Sequence, residues 1–96
     1  MLRYKKIKVG KSYIEALAVN LLTKNLILLR GRKGYIMCGY LNLKVAQKFN
    51  DVAVKVIGVS SIEEILKASV YSCTPAAKKT GISKGQSIKE VLKIIA

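Results

Sequence analysis

The sequence of 96 residues contains no histidine, no tryptophan, one proline and only two cysteines. Without histidine, a Cys–His catalytic pair is excluded within one chain and between copies of it. Cys38 and Cys73 are far apart in sequence and cannot complete a tetrahedral zinc site in one subunit. No phosphate-loop spacing is present either. We therefore predict no metal site and no cofactor.

Acidic residues are scarce as well. Five Asp and Glu stand against 18 Lys and Arg, which gives a formal net charge of +13. Such a surface attracts phosphates, because binding releases their counterions; a lysine-rich proteome is the other explanation. Nucleic-acid or polyanion binding is accordingly one alternative function. Its candidate contacts are Arg30, Arg32 and Lys33.

We also expect no proline-rich linker, no secretory leader and no membrane span. The N-terminal residues lead into alternating residues rather than an apolar core of a leader, and no apolar run is long enough to cross a bilayer. A secreted domain of this size would carry more cysteines. Hydrophobic residues make up 51% and charged residues 24%, which is typical of a globular protein. We expect a single cytoplasmic domain over residues 1–96, with no membrane contact.

The N-terminal third has the patterns of β-strands. Residues 2–9 alternate near their end and are followed by the turn Gly10-Lys11. Further apolar segments, at 12–22, 26–29 and 35–38, are separated by polar turns. Several of these segments are apolar on both faces, which indicates an antiparallel meander covered on both sides.

The rest of the sequence, after residue 41, predicts short helices, a strand at 52–57 and a short strand at 70–72. Asn42 is the expected N-cap of a helix ending near Phe49. Ser60 with Glu63, and Ser87 with Glu90, match capping boxes, and Pro75 suits a first helical position. In the last helix the apolar residues at helical spacing are Ile88, Val91, Leu92 and Ile95.

These elements predict an α+β fold in two layers. An N-terminal antiparallel meander is packed on one face by three to four short helices. Nothing remains in the chain to cover the other face, so we predict a homo-oligomer that associates through the sheet. Within this sheet Glu15 lies among apolar residues, and we expect it to pair with Arg30 or with a lysine.

Two glycines bracket an apolar strand and a cysteine in the segment Gly34-Tyr35-Ile36-Met37-Cys38-Gly39. A following helix N-terminus would lower the pKa of the Cys38 thiol, so Cys38 is the candidate nucleophile. A buried cysteine that packs as a small hydrophobe is the commoner arrangement. The candidate ligand-binding residues around it are Gly34, Tyr35, Gly39 and Asn42.

The stretches Gly34 to Leu43 and Gly81 to Leu92 resemble the YunC-like family of small bacterial and archaeal proteins. The matching features are the Gly34–Gly39 segment with Leu41, then Gly58-Val59, Ala76-Ala77, Gly81-Ile82, Gly85 and Ser87. The resemblance implies an α+β fold in which an N-terminal β region forms a tetramer, with no established activity. Asn42 and Gln86 stand where the family pattern leads us to expect aspartate and methionine.

The leading interpretation is a homo-oligomeric binding or structural module with no assigned reaction. Nucleic-acid or polyanion binding is one alternative. An enzyme or small-ligand binder with a site around Cys38 is the other, and whether this chain is an enzyme stays open.

Overall fold

The fold is seen in a computed structural model that describes residues 2–39 and 41–96. Within these ranges six strands form one sheet in sequential order, and four short helices lie between or after them. The elements in chain order are β1 (Leu2–Val9), β2 (Ser12–Asn20), β3 (Asn25–Arg30), β4 (Tyr35–Met37), α1 (Leu43–Lys48), β5 (Ala53–Lys55), α2 (Ile62–Leu66), β6 (Ser72–Cys73), α3 (Pro75–Lys79) and α4 (Ile88–Ile95).

The first four strands form the expected antiparallel meander, each paired with the next. Strands β4 and β5 are parallel, and β6 returns antiparallel to β5. A parallel pair needs a crossover connection, and here α1 supplies it. The structure thus confirms the α+β class and the N-terminal meander.

One face of the sheet, called here the inner face, carries the main core. Its strands contribute fully buried residues such as Ile14, Leu29 and Ile36. Helices α2 and α4 cover them, because their apolar residues recur at helical spacing. The predicted apolar set of the last helix is buried in this core: Ile88, Val91, Leu92 and Ile95. Among the described residues no helix is long and apolar enough to cross a membrane.

Helix α1 lies on the opposite face of the sheet, called here the outer face. Its Ala46 packs with Met37 of β4 and Ala53 of β5 in a second, smaller core. Of the three to four helices predicted on one face, α2, α3 and α4 contribute to the main core, and α1 lies on the other face. Met37 and Ala53 are adjacent to the inner-face residues Ile36 and Val54, so their side chains point outward and need a cover of their own. Among the described residues, the outer-face side chains of β1 and β2 belong to neither core.

The N-cap of α2 is displaced by one residue from its predicted position. Ser61 caps the helix, its Oγ accepting from the N–H of Glu64 at 3.1 Å, and the Glu64 carboxylate accepts from the N–H of Ser60. Glu63 is therefore not the capping glutamate. It accepts two hydrogen bonds from Arg3 of β1 instead, which ties the edge strand to α2.

Glycine is required at the turn between β3 and β4. A Cβ atom on Gly31 would lie 2.1 Å from the carbonyl oxygen of Ile95 in α4. The same oxygen accepts the N–H of Lys33 at 2.9 Å. The end of the last helix is therefore held against this turn, with no space for a side chain.

Candidate functional site

A cavity of about 680 Å³ opens where the parallel strands β4 and β5 end side by side. Three segments line it: the hairpin from Asn20 to Asn25, the residues Cys38 and Gly39 after β4, and the loop from Ile57 to Ser60 after β5. The carboxyl ends of adjacent parallel strands are a common position for ligand sites in open sheets. This cavity is the candidate functional site.

Cys38 is only 2% exposed. Its Sγ accepts the N–H of Ile27 at 3.3 Å, and its own N–H donates to the Ile27 carbonyl at 3.2 Å. The backbone bond continues the β3–β4 pairing by one residue, and the thiol sulfur accepts the Ile27 N–H in place of a second backbone acceptor, so Cys38 is held at the edge of the cavity. With no histidine in the chain, this arrangement matches a packed cysteine better than an activated nucleophile.

The β2–β3 hairpin contributes the polar side of the cavity. The Asn20 side-chain amide donates to Asn25 Oδ1 at 2.8 Å, and the Asn25 amide donates to the Ser60 carbonyl at 2.7 Å. Lys24 lies in the same hairpin and lines the cavity. Sequence reasoning missed these residues, because asparagine and lysine around a turn have an ordinary explanation as turn residues.

The other residues predicted around Cys38 do not line the cavity. Gly34 comes just before the first residue of β4, at the end of the strand away from the cavity. A Cβ atom on Gly34 would lie 2.5 Å from the Val52 carbonyl oxygen. Tyr35 donates from its hydroxyl to Asp51 Oδ2 at 2.8 Å. Burial, followed by this hydrogen bond, raises the pKa of Tyr35 to about 12. Of the five residues predicted for a site around Cys38, the cavity lining contains two, Cys38 and Gly39.

Asn42 acts as the N-cap of α1, as predicted. Its Oδ1 accepts the N–H of Lys44 at 2.9 Å. Gln86, the other departure from the family pattern, accepts the N–H of Ser83 through its Oε1 at 3.1 Å. Both amide side chains satisfy local backbone groups.

The predicted pairing of Glu15 with Arg30 is confirmed. Arg30 donates to the Glu15 carboxylate from two nitrogens, and Tyr4 donates to Oε2 at 2.8 Å. The Arg30 hydrogen bond first, then that from Tyr4, lowers the pKa of Glu15. Arg30 is consequently occupied within the protein.

Two further basic candidates have different positions. Arg32 donates to Ser12 Oγ at 3.3 Å and lines a shallow depression of about 490 Å³ near the β1–β2 turn. Lys6 and Lys11 line the same depression, and Lys33 does not. Arg32 therefore lies with Lys6 and Lys11, two lysines that were not among the predicted nucleic-acid contacts.

The outer face also carries apolar residues on β1 and β2. Leu2 is opposite Val19, and Tyr4 is opposite Leu17, so the four form one group, called here the outer patch. Leu2 is 66% exposed and Tyr4 is 52% exposed. Within residues 2–39 and 41–96 no group of three or more Cys, Asp or Glu side chains could hold a metal ion.

Residues 37–95 match the family model of a domain of unknown function, DUF1805. The chain belongs to the DUF1805 family. It is 36% identical over 81 residues to the uncharacterized protein YunC of Bacillus subtilis (strain 168), covering 80% of each chain. These matches confirm the YunC-like resemblance.

A crystal structure of a protein of unknown function from Thermoplasma acidophilum is similar over the whole chain. It gives a TM-score of 0.95 at 32% identity, covering 100% of this chain and 94% of that one. The region matched by the DUF1805 model begins at the last residue of β4. It includes Cys38, Gly39 and the loop after β5, whereas the hairpin and the outer patch precede it.

Proposed function

We propose that this DUF1805 protein is a homo-oligomeric binding module whose copies associate through the outer face of β1–β3. The observation that supports this proposal is the outer patch. Within the described residues helix α1 packs on the outer face at β4 and β5, and at the other end of the sheet Leu2 and Tyr4 of the patch are exposed. Contiguous exposed apolar groups of this kind mark interaction sites.

A second copy is the occupant that suits the patch. A two-fold contact would bring the same residues of two chains together, so the apolar area is matched by an equal apolar area. Leu17 and Val19 are half-buried within one chain and would lose their remaining exposure to water. The YunC-like resemblance carries the same expectation, in the form of a tetramer.

The carboxylate beside the patch is already paired. Glu15 accepts from both Arg30 and Tyr4, so covering this part of the face leaves no carboxylate without a partner. Unpaired charges are the main cost of burying a polar surface. Lys6, which is opposite Glu15, can keep its ammonium group in water at the rim of the contact, because a lysine side chain is long enough to reach past apolar surface.

Multi-angle light scattering over a range of protein concentrations tests this proposal. We expect a mass that is a multiple of the 10.5 kDa of one chain, with a tetramer as the state that the resemblance implies. A mass of one chain at every concentration would remove the proposal.

Polyanion binding is a second candidate function, favoured by the depression near the β1–β2 turn. Lys6, Lys11 and Arg32 line it together with the exposed ring of Tyr13. Cationic groups next to an aromatic ring are typical of single-stranded nucleic-acid sites, in which phosphates contact the charges and bases stack on the ring. The net charge of +13 would assist the encounter.

Fluorescence anisotropy with a labelled single-stranded RNA at several salt concentrations tests this second function. We expect the Lys11→Gln variant to reduce the slope of log affinity against log salt by about one. Lys79→Gln, which removes the same charge from α3 outside the depression, is the matched control. No binding of the wild-type protein at low salt would eliminate this function.

We also infer a reducing compartment, such as the cytoplasm, for this protein. Its support is that Cys38 and Cys73 are both free thiols. Thiols persist where glutathione and thioredoxin keep them reduced.

A further inference from the structure

We propose that the cavity at the ends of β4 and β5 binds a small anionic molecule, with its carboxylate or phosphate group near Lys24 and its apolar part against Ile57 and Val59. The assignment is independent of how copies of the chain associate. It depends on the charges, the backbone and the volume of the cavity.

The charges of the lining select for an anion. Lys24 is the one charged side chain among the residues that line the cavity, and no Asp or Glu is among them. The remaining polar groups are neutral amides and hydroxyls, including Asn20, Thr23 and Ser60. A cationic ligand would meet the Lys24 ammonium group, and the Glu64 carboxylate next to the lining residue Ser60 already accepts the N–H and the hydroxyl of Ser60. An anion gains a charge-assisted hydrogen bond instead.

The backbone at the cavity is open to a ligand. The last rung between the parallel strands runs from the Val56 N–H to the Met37 carbonyl at 2.9 Å. Beyond it, the N–H groups of Gly39 and Gly58 form no hydrogen bond with any of the described residues. A Cβ on Gly58 would meet nothing within 4 Å. Backbone N–H groups in this setting are donors for an oxyanion.

The hairpin side of the cavity is held in place. The bonds from Asn20 to Asn25 and from Asn25 to the Ser60 carbonyl join the hairpin to the loop after β5. They fix the position of Lys24 relative to Gly58, which lies in that loop. A pre-formed arrangement of this kind reduces the entropy lost on binding.

The volume sets the size of the ligand. A cavity of about 680 Å³ lies within the usual range of small-molecule sites, roughly 300–1,000 Å³. It is larger than an inorganic phosphate or an acetate ion would fill. Ile57, Val59 and Leu22 supply apolar surface for the remainder of the molecule.

Titration of the full-length protein, followed by ¹H–¹⁵N NMR, tests the assignment. The probes are benzoate and phenyl phosphate, with benzyl alcohol and benzylammonium as matched neutral and cationic molecules. We expect saturable shifts of the Gly39, Gly58 and Ser60 amide signals with at least one anion. A response to benzoate alone identifies a carboxylate ligand, and a response to phenyl phosphate alone identifies a phosphate ligand.

Two variants test whether the anion binds next to Lys24. We expect Lys24→Gln to weaken binding of the effective anion about tenfold, the loss of one charged hydrogen bond, and Asn25→Asp to abolish it, both by repulsion and by loss of the hydrogen bond to the Ser60 carbonyl. Lys79→Gln, which removes an exposed charge outside the cavity, should bind like the wild type. The proposal is overturned if neither anion gives saturable shifts, if benzyl alcohol or benzylammonium binds as tightly as the anions, or if Lys24→Gln binds them with unchanged affinity.

Discussion

Glu15 of β2 and Arg30 of β3 lie directly opposite each other on the outer face of the sheet. The guanidinium donates to Oε1 of the carboxylate, and the Tyr4 hydroxyl of β1 donates to Oε2. Three strands are thus joined by one carboxylate in the part of the outer face that lies away from α1. This pairing lets a second copy cover Glu15 and Arg30 without leaving either charge alone.

Gly31→Ala is expected to destabilise the fold by about 2 kcal/mol, as overpacking of a tight contact does. The new Cβ would lie 2.1 Å from the Ile95 carbonyl oxygen, so the end of α4 would have to move. Gly10→Ala is the control. Its Cβ meets nothing within 4 Å, and it should cost about 1 kcal/mol from its positive φ alone. Urea unfolding measures both, and an equal cost would contradict the close contact.

Thr74→Val is expected to destabilise the fold by about 2 kcal/mol, because it leaves buried backbone groups without partners. Thr74 is 1% exposed. Its Oγ1 accepts the N–H groups of Ala53 and Ala77 and donates to the Asp51 carbonyl. The hydroxyl therefore joins β5 to the start of α3. Thr74→Ser keeps that hydroxyl and should lose less stability in the same urea experiment; if Val and Ser cost the same, the hydroxyl has no such role.

The pKa of Tyr35 is expected to be raised to about 12 by burial and by its hydrogen bond to Asp51. Because its pKa is raised in the folded state, its contribution to stability is complete below its ordinary pKa of about 10. That contribution is lost as the pH rises through about 12. Titration of the tyrosine ring signals by ¹³C NMR, with the Tyr35 signal assigned as the one missing in Tyr35→Phe, measures this pKa. A Tyr35 signal that titrates at the ordinary pKa of about 10 would show that Asp51 and burial do not act on Tyr35.

Cys38 is expected to react with maleimide more slowly than Cys73 in the native protein. Cys38 is buried, whereas Cys73 is partly exposed. Mass spectrometry of the variants Cys38→Ala and Cys73→Ala, each with one remaining thiol, gives the two rates. Faster labelling of Cys38 would support its use as a nucleophile.

The order of secondary structure could be read from the sequence, because each segment has strong local signals. The turn at Gly10 and the N-cap at Asn42 are determined by residues close in sequence. The N-cap of α2 was predicted one residue too early, at Ser60 instead of Ser61, and this error also comes from a local pattern. Two overlapping matches to the capping pattern begin at Ser60 and Ser61, and only the packing of the helix decides between them.

The candidate site was less predictable, because it is assembled from three segments that are distant in sequence. Cys38 was identified as a position of interest, but its cavity depends on the parallel pairing of β4 with β5, which follows from the crossover through α1. Lys24 and Asn25 reach the cavity only because β2 and β3 form a hairpin at that end of the sheet. No local pattern distinguishes them from ordinary turn residues.

The central claim is that the outer patch joins copies of the chain, and sedimentation velocity of a matched pair of variants tests it most directly. Leu17→Glu places a charge in the patch, opposite Tyr4. Tyr71→Glu places one at an exposed aromatic residue beside β6, at the other edge of the sheet. The account predicts that Leu17→Glu sediments as a folded monomer while Tyr71→Glu keeps the wild-type assembly. Assembly that survives in Leu17→Glu, or a wild-type protein that is itself monomeric, would contradict it.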